Sequence, residues 1–147
     1  MPARILIAED NRASLELVEY LLGAMGYTTL TAANGGEGLR LAREKVPDLI
    51  VCDLQMPVLN GYEVVRGLKE DPLLRPIPVI AVTAYSMPGD REKALAAGFN
   101  GYFSKPIDPE AFVGEVEKFL PPELRARRRS NGSRPDAQEQ NGKDPGR

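Results

Sequence analysis

Over residues 1–120 the chain alternates two hydrophobic periods. Short runs rich in Ile, Val and Leu ("RILIA", "TTLTA", "DLIVC", "PVIAV", "GYFS") are separated by longer stretches with helical spacing. In "RASLELVEYLLGAMG", Leu15, Val18, Leu21, Leu22 and Met25 share one helical face, and Gly26 is a natural stop. "GGEGLRLAREK" repeats the pattern with Leu39, Ala42 and Val46, and "GYEVVRGLKED" with Val64, Val65 and Leu68. The prolines of "DPLLRPIP" then break the chain before the next strand. "PGDREKALAAG" and "DPEAFVGEVEKFL" are the last two helices, the latter with Asp108 as N-cap and Pro109 at its first position.

Five strands alternating with five helices predict parallel βα units with helices on both faces of the sheet. That arrangement explains why the strands are almost continuously apolar. The expected fold is α/β, a three-layer α/β/α sandwich. In such open sheets ligands bind beyond the carboxyl ends of the strands, so the strand endings are where chemistry is expected.

Composition narrows the chemistry. A chain of 147 residues, 42% hydrophobic, suits one globular domain. No segment is apolar for long enough to cross a membrane, and charge arrives too early for a secretory signal, so a cytoplasmic protein is expected. The lone cysteine, Cys52, sits among apolar neighbours as a small buried hydrophobe. There is no histidine, which excludes Ser-His hydrolysis, Cys-His proteolysis and His-ligated zinc, and excludes this chain as a phosphohistidine donor. Residues 1–120 hold 12 Lys and Arg against 17 Asp and Glu, whereas residues 121–147 hold 7 against 4. The latter segment has Leu124 as its only large aliphatic residue. It is expected to form a basic, disordered tail, because it cannot bury enough apolar area to offset its ordering entropy. Its "RARRR" has an alternative reading as a nucleic-acid or anionic-surface patch.

The strand endings are chemically specific. The first strand runs into Glu9-Asp10, the third into Asp53, the fourth into Thr83 and the fifth into Ser104-Lys105-Pro106. Singly these have plain structural readings: Asp10-Asn11 as a helix cap, Asp53 as the start of a turn, Lys105 as a solvated charge. Together they place three carboxylates, a hydroxyl and an amine at one edge. Neighbouring carboxylates repel, and a hard cation such as Mg2+ relieves that repulsion while leaving positions for water or phosphate oxygens. A carboxylate left free is a nucleophile toward phosphorus, with an ammonium and a hydroxyl to satisfy the phosphoryl oxygens.

With "DLQMPVLNGYEV", "VIAVTAY" and "FSKPID" added, residues 4–120 resemble the receiver domain of two-component response regulators. The resemblance implies a flavodoxin-like sheet in the order 2-1-3-4-5. It implies a phosphoryl group accepted on Asp53 from a sensor histidine kinase or a histidine phosphotransfer protein. Mg2+ would be bound by Asp10, Asp53 and the backbone carbonyl of Gln55, with Glu9 holding a metal-bound water. It further implies a cis Lys105-Pro106 bond and switching through Thr83 and Tyr102, although Tyr102 also reads as an ordinary half-buried strand aromatic. The chain is expected to be a stand-alone receiver, residues 1–120, acting on an unidentified downstream protein, with a phosphorylation-dependent dimer as one form of output. Neither a DNA-binding domain of its own nor multiple-turnover activity is expected. A receiver cut from a hybrid kinase is the alternative within the family. Outside it, a flavodoxin-like FMN protein conflicts with the two carboxylates of "AEDNRAS", and an aspartyl-nucleophile phosphatase lacks its second acid, since Gln55 stands there. The glycines of "ANGGEG" miss the spacing of a dinucleotide or P-loop fingerprint and are read as a turn before a helix.

Overall fold

A computed structural model describes residues 3–125. The strands are β1 (Arg4–Ala8), β2 (Thr28–Ala32), β3 (Leu49–Asp53), β4 (Val79–Thr83) and β5 (Gly101–Ser104). The helices are α1 (Arg12–Ala24), α2 (Gly35–Lys45), α3 (Gly61–Glu70), α4 (Asp90–Ala97) and α5 (Pro109–Lys118). All strand pairs are parallel, in the order β2-β1-β3-β4-β5, as the resemblance implied.

The continuous apolar runs divide by the two-residue pleat. Ile5, Ile7, Leu49, Val51, Ile80 and Val82 form one core with Val18 and Leu22 of α1 and Phe112 and Val116 of α5. Leu6, Ala8, Ile50, Cys52, Val79 and Ala81 form the other with Leu39 and Ala42 of α2, Val64, Val65 and Leu68 of α3 and Ala94 of α4. Every residue of β3 and β4 is buried, so the central strands form a rigid platform.

The helix boundaries have local causes. Gly26 takes φ +94° after α1, and Asp108 Oδ1 caps α5 ahead of Pro109. Asn60 and Glu63 form a reciprocal capping box at the start of α3. Two strands run one residue further than their apolar pattern: Asp53 pairs with Val82, and Thr83 with Ser104. The helical pattern of "GGEGLRLAREK" holds from its first glycine, so Gly35 and Gly36 are not the turn before the helix that "ANGGEG" suggests. Asn34 caps α2, and Gly35 and Gly36 already lie in its first turn. A Cβ on Gly35 would stand 1.9 Å from the Leu59 carbonyl oxygen, so it is the close approach of the β3–α3 loop that requires glycine there. Beyond α5, Pro122–Leu124 form a 3-10 turn, with Leu124 packed on the α1/α5 core and the Arg125 Nε–H donating to the Leu120 carbonyl at 3.1 Å. The rest of the tail, including "RARRR" beyond Arg125, lies outside the described residues.

Candidate functional site

The carboxyl ends of β1, β3, β4 and β5 meet at one edge. The Glu9 N–H donates to the Ala32 carbonyl at 3.0 Å, which carries the ladder one residue past β1 and turns the Glu9 side chain into the sheet edge, 4% exposed. Asp10 follows on the exposed side. Asn11 caps α1 through Ser14 N–H at 2.9 Å, and its own N–H donates to Glu9 Oε2 at 3.1 Å. The α1 cap is therefore Asn11, which leaves Asp10 available to the site.

Asp53 ends β3 and is 5% exposed. The Gln55 N–H donates to its Oδ1 at 3.2 Å. A Cβ on Gly61 would lie 2.6 Å from the Asp53 carbonyl oxygen, so glycine lets α3 begin directly against the strand end. The Lys105 N–H donates to the Thr83 carbonyl at 2.8 Å, and the Lys105-Pro106 peptide bond is cis. From there the ammonium reaches 2.9 Å from Glu9 Oε1 and 3.5 Å from Asp53 Oδ2. Carboxylate oxygens of Glu9, Asp10 and Asp53 all lie within 4.8 Å of one another.

One ammonium cannot balance three carboxylates. Burial, with the neighbouring Asp53 adding to it, lifts the pKa of Glu9 from the ordinary 4.5 to about 7, against the opposing pull of Lys105. Burial works against the Lys105 ammonium, but its bond to Glu9 and the charges of Asp53 and Glu9 outweigh burial and raise its pKa. The geometry is thus an excess of hard, anionic oxygen donors at a half-closed rim, a donor set that suits Mg2+.

Thr83 is buried, 1% exposed. Its hydroxyl donates to Gln55 Oε1 at 3.0 Å and accepts from the Tyr85 N–H at 3.2 Å. Tyr102 is half-buried against the α2/α3/α4 core, and its hydroxyl lies 2.6 Å from Ser86 Oγ. The structure therefore gathers Glu9, Asp10, Asp53 and Lys105 into one cluster. Thr83 joins it through Gln55, and Tyr102 stands behind on the Ser86 side. The Gln55 amide and Ser86 hydroxyl escape sequence reasoning, because each partner lies on another strand or loop with no periodic signal linking them.

Among the described residues no helix is long and apolar enough to cross a membrane. Residues 5–117 match the family described as the response regulator receiver domain. The polar-differentiation response regulator DivK of Brucella anthropi is 46% identical over 120 residues, covering 82% of this chain and 98% of that protein. The receiver domain of the sensor histidine kinase PA1611 of Pseudomonas aeruginosa, solved with a magnesium ion coordinated in its active-site cleft, superposes with a TM-score of 0.75 at 33% identity, covering 81% of this chain and 98% of that one. The chemotaxis protein CheY4 of Vibrio cholerae gives a TM-score of 0.76 at 28% identity, covering 82% and 100%. The order of the strands, the acidic rim around Asp53 and these likenesses agree: the chain belongs to the response regulator receiver domain family.

Proposed function

We propose that the protein is a phosphorylation-switched binding module that accepts a phosphoryl group on Asp53 from the phosphohistidine of a sensor histidine kinase or histidine phosphotransfer protein. The observation that carries this reading is the Asp53 carboxylate held at the end of a fully buried strand, within reach of the Lys105 ammonium and of two further carboxylates. In the transfer a carboxylate oxygen of Asp53 bonds to phosphorus as the phosphorus–nitrogen bond breaks, and the departing imidazole keeps the electron pair. Gln55 N–H fixes one carboxylate oxygen, and Lys105 faces the other, where it offsets the charge of the arriving phosphoryl oxygens.

Asp10, Asp53 and the Gln55 carbonyl would hold Mg2+, with Glu9 acting through a metal-bound water. When bound, the ion shields the negative charge that the carboxylates and the phosphoryl group bring together. The phosphoryl group then recruits Thr83, and movement of Thr83 makes room for Tyr102, which alters the surface of α4, β5 and α5 that a downstream target reads. Gln55 stands where a hydrolase would need an acid, which supports a phosphoacceptor over a multiple-turnover phosphatase.

The donor has a seat beside the site. Ala13, Ser14 and Leu17 of α1, with Lys105, Pro106 and Ile107, line a groove of about 450 Å³. The receiver domain is residues 1–120 in this reading, with the basic tail outside the switch. The test is incubation with Mg2+ and acetyl phosphate, followed by intact mass. One phosphoryl is gained by the wild type, and none by Asp53→Asn or without Mg2+. A gain by Asp53→Asn would overturn the proposal.

A further inference from the structure

The Thr83 hydroxyl has one hydrogen, and the structure shows where it is committed. It is donated to Gln55 Oε1 at 3.0 Å, while the Tyr85 N–H occupies a lone pair of the Thr83 hydroxyl oxygen at 3.2 Å. A hydroxyl with one proton cannot donate to Gln55 and to a phosphoryl oxygen at once. Gln55 also donates its own N–H to Asp53 Oδ1, so one residue grips the phosphoacceptor through its backbone and the switch hydroxyl through its side chain. Thr83 is 1% exposed, so its hydroxyl hydrogen cannot turn to bulk water when released.

We propose that the Gln55 side chain is a positioning residue, a latch that holds Thr83 in its resting place and must let go before Thr83 can engage a phosphoryl group. The inference rests on the phosphoacceptor reading for its consequence, although the latch itself exists in the resting protein. Gln55 thereby sets the threshold of the switch. Loss of the amide acceptor removes a bond that the resting state has and the switched state lacks. The resting state weakens by the net value of one neutral hydrogen bond, and the equilibrium moves about fivefold toward the switched state.

The chain contains only Thr28, Thr29, Thr31 and Thr83, so a threonine-methyl NMR spectrum resolves the switch residue directly. In Gln55→Met, which keeps length but loses the amide oxygen, the Thr83 methyl resonance of the resting protein moves toward its position in the wild type bound to beryllofluoride and Mg2+. Beryllofluoride affinity rises about fivefold. Gln55→Glu, which restores an acceptor, keeps the resting Thr83 resonance near the wild-type position. Gln55→Ala repeats the measurement should the methionine perturb folding. An unmoved Thr83 resonance in both Gln55→Met and Gln55→Ala, or unchanged or weaker beryllofluoride affinity in them, overturns the latch. Failure of the wild type to bind beryllofluoride would instead overturn the phosphoacceptor reading, and the resting spectra would still decide whether Gln55 holds Thr83.

Discussion

Replacing Glu9 by Gln should stabilise the protein in the absence of metal. Glu9 is 4% exposed and shares the strand edge with Asp10 and Asp53, and its pKa is lifted from 4.5 to about 7. A carboxyl whose pKa is raised by folding opposes folding wherever the unfolded chain would ionise it. The penalty is absent well below pH 4.5, grows as pH rises toward 7, and is complete above that. At about 1.4 kcal/mol for each pH unit between the two pKa values, the full penalty is about 3 kcal/mol at pH 8, and it falls below about 1 kcal/mol at pH 5. Glu9→Gln keeps the shape and removes the charge. Urea unfolding followed by far-ultraviolet circular dichroism, without metal, should show the variant more stable than wild type at pH 8 by about this amount, with the gap closing at pH 5. Saturating Mg2+ should narrow the gap at pH 8 by stabilising the wild type more. A variant equally or less stable at pH 8, or a gap independent of pH, would refute the reasoning.

Three further outcomes follow from other parts of the structure. Val58, 75% exposed, has φ +72°, a region a β-branched side chain rarely adopts, so Val58→Gly should stabilise the fold by about 1 kcal/mol in the same urea assay; a loss of stability would count against strain there. Lys105→Met removes the ammonium facing Glu9 and Asp53, and the initial rate of phosphorylation by acetyl phosphate, followed by intact mass, should fall about 100-fold; an unchanged rate would remove Lys105 from the chemistry. A chain ending at Arg125 keeps Leu124 against the α1/α5 core and should be phosphorylated like the full chain; failure to fold would move the domain boundary into the tail.

Much of this was legible in sequence because the physics is local and repeated. The strands appear as apolar runs because both faces of β1, β3 and β4 are covered, and the acids stand out because charge ends those runs. The same coverage hides which residue faces which core: Ile5 and Leu6 look alike in sequence, yet one packs against α1 and α5 and the other against α2 and α3. Asp53 and Thr83 fell beyond the apolar pattern although their backbones stay in the ladder, since pairing depends on a neighbouring strand and not on the residue's own polarity. The reason for Gly35 was invisible for a similar cause. It answers to Leu59, which only the packed loop brings near. Asp10, Asp53 and Lys105 converge as their positions predicted, whereas the Gln55–Thr83 bond joins residues 28 positions apart and needed the fold to be seen.

An Asp53 that accepts the phosphoryl group leaves a covalent product that can be located directly. After reaction with acetyl phosphate and Mg2+, borohydride reduction converts an aspartyl phosphate to homoserine, and tandem mass spectrometry of the peptides reads its position. Homoserine at position 53 alone is the predicted result; homoserine at position 10, or a phosphoryl group retained elsewhere with Asp53 unmodified, would contradict the account.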